Sequence, residues 1–263
     1  MRVAGGMQSV IEALIEKLPN DKLRLMDHVK HLNQLESGNI SLQTENVDGE
    51  QASEHSHVIS AMPLRLFNQQ IKTSPALPDS LIRHCQQTLT WMAAHAKFVA
   101  IYDSPFWREQ GLSGSASSQT GPLVEIHDAS AYQGKAALFG FIGINAAARK
   151  TAGKQTIIDV TLTQLTDLFG EQAANPTDVF LVDWSDEKFT ATEQDKAGAN
   201  SHPLYGIPSD LTPVWDNRLI LAGTESDNEA GGYLEGALSS AIKATEQIKK
   251  CPQKAGIPIK ITT

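Results

Sequence analysis

The chain has 263 residues, 41% of them hydrophobic and 20% charged, with a formal net charge of −8. That length can bury a sizeable core and suits one or two domains, while the acidic balance excludes nucleic acid or an anionic membrane surface as the main partner. The two cysteines, Cys85 and Cys251, lie far apart without metal-ligand spacing, and no apolar run reaches the length of a membrane span; both features point to a cytoplasmic protein with free thiols, no metal and no membrane segment.

In chain order, Val10, Ile11, Leu14 and Leu18 fall on one face of a helix that Pro19-Asn20-Asp21 ends. Leu23-Arg24-Leu25 and residues 28–32 read as short strands, and the polar stretch 36–57 as an exposed hairpin or loop. His57-Val58-Ile59-Ser60-Ala61 reads as a buried strand ending at Met62-Pro63. Pro75 and Pro78 bracket a linker before a helix over 81–89. Lys97-Phe98-Val99-Ala100-Ile101-Tyr102 is β-rich and stops at Pro105-Phe106-Trp107; residues 111–121 form a small-residue loop. Two antiparallel strands are expected over 123–126 and 136–142, helices over 146–149 and 156–169, and another strand over 179–184. Residues 190–218 are loop-like. Leu219-Ile220-Leu221 reads as a buried strand, and a helix beginning near Gly231-Gly232 carries Leu234, Leu238, Ala241, Ile242 and Ile248 on one face.

The stretch between that strand and that helix, AGTESDNEAGGYLEGA, holds four glycines and a tyrosine. Glycine there lets something approach the backbone closely, and a helix N-terminus offers unpaired N–H groups with positive partial charge. A tight strand-to-helix turn is the alternative reading. Lys97 among Ala96, Phe98, Val99 and Ala100 is costly without a partner, unless its ammonium snorkels to water. His127 and Asp128, adjacent on a strand, point to opposite faces and read as structural. Trp107 and Trp184 read as core anchors. The chain contains no G-x-G-x-x-G and no metal-ligand spacing.

Several separated segments resemble, in order, those of the flavin-containing amine oxidase family, monoamine oxidase-like and closest to its short bacterial members. RVAGGMQSVIEAL resembles the family's glycine-pair helix opening, and HVISAMP the strand returning to the flavin domain. WMAAHAKFVAIYDSPFWREQGLSG resembles the lysine-bearing strand with its PFWR end; GPLVEIHDAS and ALFGFIG resemble the next two strands. AGTESDNEAGGYLEGA resembles the flavin-proximal signature. The resemblance implies an α/β fold: part of a Rossmann-like FAD-binding domain interleaved with a mixed-sheet substrate domain carrying helices. It divides the chain into a second flavin-domain segment at 1–86, a substrate-domain segment at 87–186 and a last flavin-domain segment at 187–263. The family's N-terminal dinucleotide-binding unit has no counterpart here.

By the same resemblance, Gly223, Thr224 and Glu225 lie along the flavin ribityl and pyrophosphate. Gly232 and Leu234 open the helix that faces the flavin, and Val29 touches the adenine through its backbone. Tyr233 matches the aromatic residue that flanks the amine, where a ring face attracts a cation. Lys97 matches the lysine near flavin N5, where a cation stabilises charge developing on oxygen. The family's second aromatic wall, and the cysteine that tethers flavin in some members, should fall near Glu193 and Gln194. Neither is present, which implies non-covalent FAD and a cage completed by Tyr205 or His202. The implied reaction is FAD-dependent oxidation of a small-molecule amine by molecular oxygen, giving imine and hydrogen peroxide. The implied macromolecular partner is a second copy or the missing N-terminal half. Two alternatives stand beside it: a related flavin desaturase or oxidase, and a non-catalytic fragment or partner chain.

Overall fold

The computed structural model describes residues 3, 5–19, 21–131, 134–199 and 201–250; Asn20 and Cys251 lie outside them. The chain opens with α1 (Gln8–Ile15), none of whose residues is buried. Residues 23–25 are not a strand, contrary to the sequence expectation. Leu25 and Met26 are exposed and Met26 takes a left-handed φ of 59°, which breaks extension just before the sheet begins. The sheet starts with β1 (His28–Gln34), followed by β2 (Ile40–Asn46) and β3 (Gly49–His55). Asn46 faces Gly49 across a two-residue turn, and the Asn46 side chain accepts from the Asp48 N–H at 2.8 Å. The polar stretch is therefore the hairpin it resembles. β4 (Val58–Ser60), α2 (Leu64–Gln70), β5 (Lys72–Ser74) and α3 (Asp79–Gln87) follow, and β5 pairs parallel with β1 to give the order β3-β2-β1-β5.

A second sheet is built from β6 (Ala96–Tyr102), β7 (Ala116–Ser117), β8 (Leu123–Asp128), β9 (Ala136–Ile142) and β10 (Asp178–Asp183), in the order β10-β6-β9-β8-β7 and antiparallel throughout. α4 (Phe106–Glu109), α5 (Ala146–Ala152) and α6 (Lys154–Phe169) lie between its strands in sequence. Strand β6 alternates strictly: Ala96, Phe98, Ala100 and Tyr102 are buried, while Lys97, Val99 and Ile101 are not. The buried set joins Trp107, Leu123, Ile126, Leu138, Ile157, Leu165 and Phe169 in one apolar cluster, so α6 covers this face. The other face carries Phe139 and Phe141 with exposed Phe180 and Val182, and Lys97 lies on it. Trp107 is a core anchor as expected, whereas Trp184, at the end of β10, is partly exposed. Asp128 accepts from Trp107 Nε1 and Arg108 Nε, and His127 stacks on Phe139, so the two do not form an acid–base pair.

The third sheet holds only β11 (Leu219–Leu221) and β4, parallel and in register Leu219↔Val58 to Leu221↔Ser60. α7 (Leu234–Lys250) follows. Its buried row is Gly236, Ser240 and Ala244, with Ala244 and half-buried Ile248 set against Ile220 and Ala222. This corrects the sequence expectation, because Leu234, Leu238 and Ile242 point outward at 67%, 56% and 59% exposure. Small residues at four-residue spacing bring the helix close to the strand, and among the described residues nothing covers its leucine face. Taken together, the described residues form the expected α/β architecture.

Candidate active site

The site grows from the carboxyl ends of the two parallel strands, where open α/β sheets hold ligands. β4 leads into Met62 and β11 into Gly223, and the two backbones cross so closely that a Cβ on Gly223 would lie 2.7 Å from the Met62 carbonyl. The glycine is required by the chain's own backbone. Thr224–Ser226 then forms a single 3-10 turn, and Thr224 Oγ1 donates to the Tyr233 carbonyl at 2.7 Å, tying the turn to the start of α7.

Glu225 is 2% exposed and faces inward. Its Oε2 accepts from the Leu64 N–H at 2.7 Å, capping α2, and its Oε1 accepts from Thr90 Oγ1 at 2.8 Å. Burial pushes this carboxyl up to about 7, against the pull of those two hydrogen bonds. Asp195 extends the brace by accepting from the Thr90 N–H, from both donors of Thr192 and from Arg65 Nη1 at 2.6 Å. The carboxylate expected along a cofactor is thus committed to holding α2 and residue 90.

In front of this brace four aromatic rings converge. The rings of His202 and Tyr233 are parallel to within 5°, with centroids 4.9 Å apart. Trp91 lies 4.9 Å from His202 and tilted, and Tyr205 meets His202 edge-on at 5.5 Å. Tyr205 is fixed from behind by its hydroxyl, which donates to the Leu89 carbonyl at 2.9 Å; burial raises its phenol well above the usual range. Tyr233 is 58% exposed, so its outer side meets solvent. The array continues through His95, 6.3 Å from both Trp91 and Phe141, to Lys97, whose Nζ lies 5.6 Å from the Phe141 ring centroid. Burial holds His95 below the ordinary histidine value. Among the described residues the Lys97 ammonium makes no ion pair, so its charge remains available to the open face of the second sheet.

The sequence-derived candidates therefore divide. Gly232, Tyr233, His202 and Tyr205 meet directly, Leu234 stands exposed beside them, and Lys97 joins through Phe141 and His95. Val29 belongs to a different sheet, at an irregularity of register between β1 and β2, and packs against an apolar cluster that also takes in Val58, Met62, Leu219 and Leu221. Trp91 and His95 were not singled out from sequence, although their spacing ahead of Lys97 in WMAAHAK was visible. Residues 193–197 form a 3-10 turn with a capping box rather than a cage wall.

A family model described as flavin containing amine oxidoreductase matches residues 1–249. Among curated proteins, the chain is 27% identical over 260 residues to a probable flavin-containing monoamine oxidase A of Dictyostelium discoideum, covering 94% of this chain and 53% of that protein. It is 28% identical over 263 residues to amine oxidase [flavin-containing] B of Sus scrofa, covering 94% and 46%. Among solved structures, a cofactor-binding redesign of putrescine oxidase superposes with a TM-score of 0.74 at 24% identity, covering 94% of this chain and 53% of that one. Cyclohexylamine oxidase from Brevibacterium oxydans superposes at 0.73 with 25% identity, covering 93% and 53%. The chain spans about half the length of the relatives it matches.

Proposed function

Because the chain belongs to the flavin containing amine oxidoreductase family, we propose that it is the amine-facing portion of an FAD-dependent amine oxidase. The observation that carries this reading is the stacked His202–Tyr233 pair at the opening turn of α7. Residues here suit the ring end of a flavin. Ser60 ends β4, and its hydroxyl, like His202 Nε2, is buried without a hydrogen-bond partner among the described residues. Gly223, Thr224 and the first turn of α7 through Gly232 and Leu234 would hold the cofactor, with the helix N-terminus favouring negative charge. Val29 would reach the adenine end through its backbone.

FAD, when bound, supplies the acceptor for the hydrogen lost from the carbon beside the amine nitrogen and returns the electrons to oxygen, leaving imine and hydrogen peroxide. The chain's own residues orient and stabilise. Tyr233 and His202 present ring faces to an alkylammonium and align its reacting carbon. Two stacked rings 4.9 Å apart have no room for a guest, which needs about 7 Å; the amine meets the open Tyr233 face or parts the pair. Tyr205 and Trp91 back this wall. Lys97, without an ion pair among the described residues, offers a cation to charge developing on oxygen. The flavin would be held non-covalently: Glu193 and Gln194 stand where a tethering cysteine is expected, and Cys85 is buried in an apolar cluster, where burial pushes its thiol up to about 11.

The residues fit one end of FAD. No G-x-G-x-x-G exists in the chain to cradle the pyrophosphate, and the relatives are about twice as long. We therefore read the chain as a C-terminal portion that acts with a dinucleotide-binding unit in a cytoplasmic setting. Its own segments would divide at 86 and 186 between flavin and substrate domains. By itself it should not retain FAD after incubation with excess cofactor and desalting. A retained flavin spectrum accompanied by amine-dependent peroxide would show that these segments suffice alone.

A further inference from the structure

His202 does more than supply a ring. Its Nδ1 lies 2.9 Å from the Pro203 carbonyl, which can only accept, so Nδ1 carries the hydrogen. In the neutral imidazole that leaves Nε2 as a bare acceptor. Among the described residues Nε2 is buried with no hydrogen-bond partner. It lies 2.9 Å from the place a Cβ would occupy on Gly232, whose φ is +82°, as does Tyr205 Cε2. Any side chain at 232 would fill the space in front of this lone pair, and the backbone conformation there suits glycine. Trp91, Tyr205 and Tyr233 surround the ring and none of them donates to it. A buried acceptor left without a donor is costly, and the cost is recovered if the ligand brings the donor.

We propose that His202 Nε2 accepts an N–H from the substrate amine, so that the site selects amines that carry an N–H over equally cationic ones that do not. This rests on the amine-oxidase reading and deepens it. An aromatic wall alone takes up any alkylammonium, since cation–π attraction needs only charge and fit. The orphaned lone pair adds a requirement that a quaternary ammonium cannot meet.

The probes are benzylamine and benzyltrimethylammonium, added at millimolar concentration to the full chain labelled with 15N-histidine. Benzylamine should shift the His202 Nε2 resonance and bind about tenfold or more tightly than its trimethyl counterpart, the range for one hydrogen bond to a charged donor. His202→Phe keeps a stacking ring without the lone pair and should bring the two affinities together. Gln can place an acceptor where Nε2 stands, so His202→Gln should retain part of the preference, whereas Asn, which can mimic only Nδ1, should not. If both amines bind and perturb Tyr233 while Nε2 stays unmoved and the preference is absent, the hydrogen-bond assignment fails and the aromatic wall survives. If neither amine perturbs Tyr233 or His202, the inference and the amine-binding reading fall together.

Discussion

Replacing Glu225 with glutamine should flatten the pH dependence of folding without loosening the structure. The carboxyl is 2% exposed, and burial lifts it from 4.5 to about 7. A raised folded value means that the fold favours the protonated acid. The associated stability is therefore complete below about pH 4.5 and is lost as pH climbs through 7. The difference of roughly 2.5 units, at about 1.4 kcal/mol each, amounts to about 3 kcal/mol lost by pH 8.5. Glutamine keeps an oxygen to cap the Leu64 N–H, and its amide can donate to Thr90 Oγ1, whose hydroxyl can turn to accept. It cannot ionise. Urea unfolding at 25 °C, followed by tryptophan fluorescence from pH 5 to 8.5, should find the two proteins within about 1 kcal/mol at pH 5. By pH 8.5 the variant should be more stable by about 3 kcal/mol. Parallel curves, or a variant weaker at pH 8.5, would mean that Glu225 is ionised in the fold and that its charge is compensated.

In a flavin-loaded form, Lys97→Met should slow reoxidation by oxygen about tenfold or more while leaving anaerobic reduction by amine less affected; an unchanged stopped-flow reoxidation rate would remove the lysine from that role. Tyr233→Ala should weaken amine turnover in a folded protein, and Tyr233→Phe should be mild because the ring face is what remains in Phe. Equal damage from both, at normal flavin loading, would move the function to the hydroxyl.

Elements with strong periodicity were legible in the sequence. The β-rich run 97–102, the paired strands expected over 123–126 and 136–142, and the apolar triplet 219–221 stand where their patterns put them, because burial on one or both faces dictates composition. α7 was misread for the same reason in reverse: its richest apolar row faces out, and the row that packs is Gly236, Ser240 and Ala244, which carries little hydrophobic signal. The inward turn of Glu225 was invisible because its partners Leu64 and Thr90 lie 161 and 135 positions away. Tyr233, His202 and Tyr205 could be named as candidates, yet which of the last two stacks on Tyr233 depends on the path of 198–206, a stretch with no periodicity to read. Trp91 entered the cluster through the same long-range folding.

The outward row of Leu234, Leu238 and Ile242 also sets how this molecule responds to its solvent. Salts that are excluded from protein surfaces raise the cost of hydrating apolar area, and the cost grows with the area left wet. A helix with three large aliphatic side chains each more than half exposed, near the partly exposed Tyr233 ring, gathers part of that cost on one stripe, as α1 with exposed Ile11 and Leu14 does on another. Sulfate should therefore favour contacts between copies through α7 among these apolar stripes. Substituting Leu238 and Ile242 with glutamine should raise the salting-out point while the strand-facing side of the helix stays as it is.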